Sequence, residues 1–262
     1  MSNELRVAIS GSGKMGRQVA AAVMAEADMF PTGYLDTLQS ADVVEGLTVY
    51  RDAAAGLDAM EPDVVVDFTN AVWTPALAEV AMARGVRLVI GTTGLSSAFV
   101  ERLATDCAER KVGGLVASNF ALSAVLMMEF AKQAARLFDH AEIIELHHNQ
   151  KVDAPSGTAK TTAEMMLLAR GRDFEHADTE RFTVDGARGG DLGGIAIHSV
   201  RLPGLVAHQE VIFGSLGQTL TIRQDSTGRD SFMPGVLLAV RKVMHLDRLV
   251  VGLDGILGLD RE

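Results

Sequence analysis

Residues 5–16 read LRVAISGSGKMG, an apolar run from Leu5 to Ser10 that breaks into Gly11-Ser12-Gly13-Lys14-Met15-Gly16. The run has the apolar, partly β-branched character of a buried strand. Beyond the glycines, Lys14 to Ala27 carries Met15, Val19, Ala22 and Val23 at helical spacing. A strand, a G-x-G-x-x-G turn and a helix in that order are the context in which this motif takes up a dinucleotide. Gly11 permits the tight turn, Gly13 lets the backbone approach a pyrophosphate, and Gly16 lets helix and strand pack closely. The opening helix offers free N–H groups and the positive end of its dipole to phosphates. Asp36 ends the short strand Gly33-Tyr34-Leu35-Asp36, about 20 residues past Gly16, where a carboxylate can hold adenine-ribose hydroxyls. Asp36 favours NADH because it repels a 2′-phosphate, whereas Lys14 and Arg17 beside the turn could offset that repulsion. The expected cofactor is NADH, NADPH or both.

The strand–helix rhythm continues outward from the turn. Val64 to Phe68, Val86 to Ile90 and Gly114 to Ser118 read as strands, with helices over Trp73 to Arg84 and Ser97 to Arg110. Continuous apolar strands separated by helices predict a parallel, doubly wound sheet. Gly91-Thr92-Thr93-Gly94 closes one strand at its C-terminal end, where such sheets bind ligands; it is either a contact for a nicotinamide carboxamide or an ordinary turn. Ser118-Asn119-Phe120 ends another strand and starts the next domain, which suits a hinge and a cofactor contact. The rhythm then changes: a helix over Leu122 to Phe138, a strand over Glu142 to Leu146 and a helix from near Thr158 to about Arg170. A polar, Gly-rich loop over 171–192 follows, then three strands in sequence (Ile195 to Leu202, Glu210 to Phe213, Thr219 to Arg223) whose short turns predict a partly antiparallel sheet. A last helix, Phe232 to Met244, and the tail Leu253 to Leu259 return to the first domain. The expected fold is α/β: a Rossmann-type parallel-sheet cofactor domain over 1–118 and 229–262, plus a smaller mixed α/β domain with an open sheet over 119–228.

The chemistry-bearing stretch is His147 to Gly157, HHNQKVDAPSG. Adjacent histidines on extended backbone face opposite ways, so His147 and His148 cannot share one role. One can address a reacting carbon while the other meets a substrate carboxylate or serves structure. Histidine is the usual proton donor and acceptor near neutral pH, and Lys151 adds a cation that can protonate or pair with an anion. Ser156 or Thr158 can cap the following helix, and the backbone N–H groups of Gly157 and Thr158 could cradle a carboxylate at its positive end. Zinc does not suit the segment: there is no HExxH, no cysteine partner, and adjacent histidines do not serve one tetrahedral ion. No metal is expected.

Bulk properties narrow the class. Lys plus Arg number 24 and Asp plus Glu 34 in 262 residues, a net charge of −10. Such a surface argues against general nucleic-acid or membrane binding, so an anionic substrate needs a local positive island. The single cysteine, Cys107, allows no internal disulfide and reads as a packed thiol. No apolar run reaches the roughly 18 residues of a membrane helix. Met1-Ser2-Asn3-Glu4 shows neither a basic start nor an apolar core, so a cytoplasmic enzyme is expected.

Taken together, these residues resemble the 4-hydroxy-tetrahydrodipicolinate reductase (dihydrodipicolinate reductase) family. The resemblance lies in the N-terminal turn with Lys14-Met15-Gly16-Arg17, Val66-Asp67-Phe68-Thr69, Gly91 to Gly94, Ser118-Asn119-Phe120, Glu145-Leu146-His147-His148 through Lys151 to Asp153-Ala-Pro-Ser-Gly-Thr158, and Ser199-Val200-Arg201. It implies hydride transfer from NADH or NADPH to a cyclic dicarboxylate in lysine and diaminopimelate biosynthesis, with loss of water, by a homotetramer. It assigns His147 as proton donor and acceptor and Lys151 as proton donor. His148, Ser156, Gly157, Thr158 and Arg229 would bind substrate. Gly11, Ser12, Gly13, Lys14, Met15, Gly16, Asp36, Gly91, Thr92, Thr93, Ser118, Asn119 and Phe120 would meet the cofactor. The family's common turn has one more residue between its first and last glycines, and Gln224 stands where many members have His. Two other readings remain: a different Rossmann amino-acid or semialdehyde dehydrogenase, which leaves Lys151 and the Ser-Gly-Thr cradle unexplained, and a non-catalytic dinucleotide sensor, which would not need His147 or Lys151.

Overall fold

The structure, a computed structural model, describes residues 4–259; the N-terminal Met1-Ser2-Asn3 stretch lies outside the described residues. The chain divides into two compact units, one running through Ala121 and resuming at Arg229, the other Leu122–Gly228.

The first unit is built on an eight-stranded sheet. In chain order its elements are β1 (Leu5–Ser10), α1 (Lys14–Met24), β2 (Met29–Leu35), β3 (Val43–Val44), β4 (Leu47–Tyr50), α2 (Ala53–Met60), β5 (Val64–Asp67), α3 (Trp73–Ala83), β6 (Arg87–Ile90), α4 (Ser97–Arg110) and β7 (Gly114–Val116). The strand order β13-β7-β6-β5-β1-β2-β4-β3 puts β1 at the centre, with β13 (Leu249–Val251) added after the excursion into the second unit. All pairings are parallel except the β3–β4 hairpin. β5 and β6 are buried along their length apart from Arg87, the pattern of strands covered on both faces. The chain goes one way from β1 into β2 and the other way into β5, so a topological switch point lies beside the C-terminal end of β1. The register makes this edge sharp: Leu35, Ser10, Asp67, Ile90 and Val116 are neighbours across five strands. Every loop expected to meet the cofactor therefore leaves the sheet along one line.

The C-terminal helix α7 (Met233–Val243) packs against α1 and the strands β5, β6 and β7, and α8 (Asp254–Leu257) closes the unit. The first unit extends to Ala121, three residues past the expected edge at Ser118. Phe120 is the cause: it is buried, and its ring stands edge-on to Phe68 with centroids 5.3 Å apart. The hairpin β3–β4, α2 and β13 had no counterpart in the sequence reading. The strands are two to four residues long, too short for a period to declare itself.

The second unit comprises α5 (Leu122–Ala134), β8 (His140–His147), α6 (Gly157–Arg170), β9 (Gly190–Leu192), β10 (Ile195–Arg201), β11 (Ala207–Ser215) and β12 (Gln218–Ser226). Its five-stranded sheet has the order β12-β11-β8-β10-β9. β11 and β12 form the expected hairpin. β10 and β11, however, are not neighbours: β8 lies between them, parallel to β10 and antiparallel to β11. The reason is the crossover β8–α6–β10, which brings two strands together in parallel and leaves β11 the other edge of β8. Within the expected 171–192 loop the chain also adds the short edge strand β9.

α5 and α6 cover one face of this sheet, over Ile143, Ile197, Val211 and Phe213. Cross-strand rows on that face grade from apolar to polar. Ile222, Val211, Ile143 and Ile197 form one row; Gln224, Gln209, Glu145 and Ser199 the next; Ser226, Ala207, His147 and Arg201 the third. The polar rows end at the N-terminus of α6.

Candidate functional site

Period-two alternation puts Glu145 and His147 on the same face of β8, and the parallel register sets Arg201 of β10 beside His147. Glu145 is wholly buried. Arg201 grips it as a fork, Nη1 to Oε2 at 2.8 Å and Nη2 to Oε1 at 2.7 Å. His147 Nδ1 lies 2.5 Å from Oε2, and the Ser156 backbone N–H donates to Oε1 at 3.1 Å. Burial pushes the Glu145 carboxyl up, but the hydrogen bonds from Arg201, Ser199 and His147 outweigh it and hold the carboxyl below its ordinary range. The pair is ionised.

His147 moves the other way to its usual acid–base poise. Burial lowers its pKa; the Glu145 bond opposes this only in part, and the charges of Lys151 and Arg201 lower it further. A neutral imidazole that donates Nδ1–H to Glu145 presents a lone pair at Nε2. His148 has the opposite tautomer, because its Nδ1 accepts from the Gln150 N–H at 3.3 Å and leaves Nε2–H as a donor. The two adjacent histidines thus offer one acceptor and one donor. Lys151 Nζ donates to Asp153 Oδ1 at 2.8 Å, and Arg201 also reaches the Asp153 carbonyl at 2.8 Å, so one guanidinium shapes both the strand and the loop. The Lys151 bond is the main reason that Asp153 lies below the usual carboxylate range.

Ser156 is the N-cap of α6. Its hydroxyl accepts from the Ala159 N–H at 3.2 Å and its carbonyl accepts from the Lys160 N–H at 3.0 Å. That leaves the N–H groups of Gly157 and Thr158 as the first-turn donors without a partner among the described residues. Gly157 is exposed, has ordinary backbone angles, and a Cβ built there would meet nothing within 4 Å. Ser156 itself is buried, so it builds this cradle and does not line it. Arg229 belongs to the first unit, where it begins a short 3-10 turn and is exposed.

In the first unit Gly11 has φ +90, which glycine alone adopts readily, and a Cβ on Gly16 would stand 1.8 Å from the Gly11 carbonyl oxygen. Both glycines serve the turn itself. Gly13 does not: its φ is −74 and nothing lies within 4 Å of its Cβ position. It caps α1 without a side chain, so the N–H groups of Lys14 and Met15 also lack partners among the described residues. This open, uncapped helix start fits a dinucleotide pyrophosphate. Asp36 braces the turn: Oδ2 accepts from the Ser12 N–H at 2.8 Å and the Ser12 hydroxyl at 2.7 Å, while Oδ1 accepts from Leu38 and Gln39 N–H. Burial raises the carboxyl, but these bonds outweigh it and keep Asp36 below its ordinary range. Beside it a recess of about 190 Å³ is lined by Gly11, Asp36, Leu38, Thr69 and Trp73 among others.

Gly91 is needed for packing, since a Cβ would stand 2.0 Å from the Phe68 ring. Thr92 is buried and donates to Asp67 Oδ2 at 2.8 Å; Thr93 and Ser118 are exposed; the Asn119 side chain accepts from the Ala121 N–H at 2.9 Å. Asp67 was given no role by the sequence reading. It is fully buried and also receives the hydroxyls of Thr69 (2.7 Å) and Thr74 (2.5 Å), which fixes the loops after β5 and β6 at the switch point. Glu145 and Arg201 were likewise missed as functional groups. The signal for Glu145 was present, two residues before His147 on a strand; the signal for Arg201 was not, because it depends on which strand pairs with β8.

A family model described as "Dihydrodipicolinate reductase, N-terminus" matches residues 5–120, and one described as "Dihydrodipicolinate reductase, C-terminus" matches residues 123–257. The 4-hydroxy-tetrahydrodipicolinate reductase of Geobacillus kaustophilus is 48% identical, with 97% of this chain and 99% of that one covered. That of Moorella thermoacetica is 46% identical, with 97% and 98% covered. Among solved structures, a dipicolinate-bound dihydrodipicolinate reductase from Paenisporosarcina sp. TG-14 superposes with a TM-score of 0.90 at 40% identity, covering 97% of this chain and 99% of that one.

Three experiments test this geometry. Gly13→Ala will leave the melting temperature unchanged and weaken NAD(P)H binding, read by cofactor fluorescence, whereas Gly16→Ala will lower both stability and binding; equal loss of stability in the two would contradict the open start of α1. Arg201→Met leaves a buried carboxylate without its counter-ion, and urea unfolding will show a loss of about 3–5 kcal/mol. The depressed pKa of His147 has a defined sign: its contribution to stability is present above about 6.5, the unfolded value, and is lost as pH falls through the lower folded one. The slope of stability against pH below 6.5 will therefore shrink in His147→Gln, and an unchanged slope would mean that His147 is protonated in the folded chain.

Proposed function

The chain belongs to the dihydrodipicolinate reductase family and reduces 4-hydroxy-tetrahydrodipicolinate to tetrahydrodipicolinate with a nicotinamide cofactor in lysine and diaminopimelate biosynthesis, and we propose that His147, His148, Lys151 and the first turn of α6 carry that reaction. The observation behind this reading is the cluster at the end of β8, where a neutral imidazole, a lysine and two N–H groups without a partner among the described residues collect on a chain of net charge −10.

Each turnover takes in one hydride and one proton and releases one water. When bound, NAD(P)H supplies the hydride. Gly157 and Thr158 N–H groups receive one substrate carboxylate, with the helix dipole behind them. His148 Nε2–H meets substrate as a donor, and Arg229 is the further basic residue proposed for it. Lys151 holds the proton that the ring takes as the hydride's electron pair arrives. His147, neutral and with Nε2 open, accepts a hydrogen bond or a proton from the substrate side. That gives the acceptor part of its role to His147 and the donor part to Lys151.

The pyrophosphate is proposed to lie on Gly13 to Met15, with Ser12 shaping that turn, and the adenine ribose beside Asp36. Gly91, Thr93, Ser118 and Asn119 are offered to the nicotinamide end; Thr92 and Phe120 shape it from beneath, since both are buried. NADH is the preferred cofactor. Asp36 is ionised and is followed by Thr37, Leu38 and Gln39, none a cation, while Arg17 donates to the Ser12 carbonyl at 2.9 Å and faces Glu45 at 3.6 Å. A 2′-phosphate would meet the carboxylate without a free guanidinium beside it.

No helix among the described residues is long and apolar enough to cross a membrane. The reading places the enzyme in the cytoplasm as a homotetramer. What supports self-association is the sheet face away from α5 and α6, where Ile144, Leu146, Val200 and Ile212 are half-buried and lie outside the core that those helices cover. Glu142, Arg188, Glu210 and Arg223 add paired charges of both signs, which suits a self-complementary contact.

Initial rates with NADH and NADPH, on wild type and Lys151→Ala, test the assignment. The variant will lose at least a hundredfold in kcat while it still binds cofactor, and wild type will give the higher kcat/KM with NADH. Turnover that survives without Lys151 would remove it as the proton donor. Sedimentation will show a tetramer that Ile212→Lys dissociates; a monomeric wild type would sink the assembly reading.

A further inference from the structure

The row that carries Glu145 holds two more buried polar side chains that the reaction above leaves unused. Gln209 and Gln224 are partners across β11 and β12, 2% and 7% exposed, and Gln209 is the direct neighbour of Glu145 on β8. Gln224 Oε1 accepts from the hydroxyls of Ser123 at 3.4 Å and Ser226 at 3.3 Å. Gln209 Nε2 donates to Thr162 Oγ1 at 2.9 Å, and the Thr162 hydroxyl donates to the Thr158 carbonyl at 2.7 Å. Thr162 has no exposure to solvent. Gln209 Oε1 is buried with no partner among the described residues. An unpaired buried amide oxygen is unfavourable, so what this amide contributes to the structure is the bond made by its nitrogen.

That bond ends at the first turn of α6. Glu145 holds the turn at the Ser156 N–H, before Gly157; Gln209, through Thr162, holds it at the Thr158 carbonyl, after Gly157. Two neighbouring side chains of one sheet row therefore fix the helix start on both sides of its open donors. Donors held in place before the ligand arrives lose less freedom when it binds.

We propose that Gln209 is a positioning residue for the reductase: through Thr162 it aims the free N–H groups of Gly157 and Thr158 at a substrate carboxylate. The proposal rests on the reading of Gly157 and Thr158 as the carboxylate cradle. Gln209 acts on substrate binding and not on proton transfer, because its relay ends on the backbone of α6 and touches neither Lys151 nor His147.

The test uses the full-length enzyme with Gln209→Leu, Thr162→Val, Thr162→Ser and Gly157→Ala. The readouts are substrate KM and kcat, the Kd of pyridine-2,6-dicarboxylate, the Kd of NADH and the melting temperature. Gln209→Leu and Thr162→Val will each raise KM and the dicarboxylate Kd about five- to tenfold, with kcat and NADH binding within about twofold. The double variant will be no worse than either single one, as expected for two links of one relay. Thr162→Ser keeps the hydroxyl and will restore KM. If Gly157→Ala weakens dicarboxylate binding while Gln209→Leu and Thr162→Val do not, the relay is overturned and the cradle stands. If Gly157→Ala leaves dicarboxylate binding unchanged, the cradle falls and the relay with it. A lowered melting temperature without a change in KM, or equal losses in kcat and NADH binding, would reduce Gln209 to scaffolding. Should Gln209→Leu fail to fold, Thr162→Val against Thr162→Ser decides.

Discussion

A carboxylate with no solvent stays charged only where donors replace its water, and Glu145 is closed in by both terminal nitrogens of Arg201, His147 Nδ1, the Ser199 side chain and the Ser156 N–H. Much of the second unit follows from satisfying that one group. Arg201 must stand beside β8, which the parallel β8–β10 register provides. The imidazole of His147 is fixed in one tautomer and kept neutral between a carboxylate and two cations. The cap of α6 is pulled onto the sheet, which leaves its next two N–H groups without a partner among the described residues. Removal of the ion pair in favour of apolar residues would be tolerable for folding on general grounds. It would leave His147 with no orienting partner and α6 with one tie to the sheet fewer.

The grading of rows on the helix-covered face explains how a polar site and a packed core share one sheet. Ile222, Val211, Ile143 and Ile197 bury apolar area under α5 and α6, where a polar atom would need a partner at once. One step along the strands, Gln224, Gln209 and Glu145 are still buried but lie next to helix ends and hydroxyls that can bond to them. One step further, His147 and Arg201 reach the surface. Within the middle row, Glu145 holds His147 and Arg201 of the next row in place, and the two glutamines are bonded to Thr162, Ser123 and Ser226.

The sequence made some parts of this legible and hid others for identifiable reasons. The Gly11–Gly16 turn, its flanking strand and helix, and Asp36 are local: their meaning is complete within one βαβ unit. The α4 limits, Ser97–Arg110, were readable because Ser96 caps one end and the periodicity runs uninterrupted. The position of β8 between β10 and β11 was not readable, because strand pairing is decided by the α6 crossover and by which side chains must meet, not by order along the chain. Arg201 remained a motif residue without a role for the same reason. Asp67 read as one residue of the strand Val64 to Phe68; only the convergence of Thr69, Thr74 and Thr92 from three segments shows that it locks the switch point.

Gly13 and Gly157 carry the strongest sign that both units are shaped around something outside the chain. Gly11 has a positive φ, and Gly16 and Gly91 would clash if they gained a side chain, so the fold accounts for each of them. Gly13 and Gly157 have unremarkable backbone angles and empty space where a Cβ would go. A glycine in such a place costs conformational entropy and returns nothing to the free protein. Both sit at the start of a helix, beside N–H groups that no described residue caps, on a chain with ten more negative than positive charges. Under the proposed function, glycine at each position allows the close approach of an anion, a pyrophosphate at one and a carboxylate at the other. The two requirements match the two ends of a reaction between a dinucleotide and a dicarboxylate.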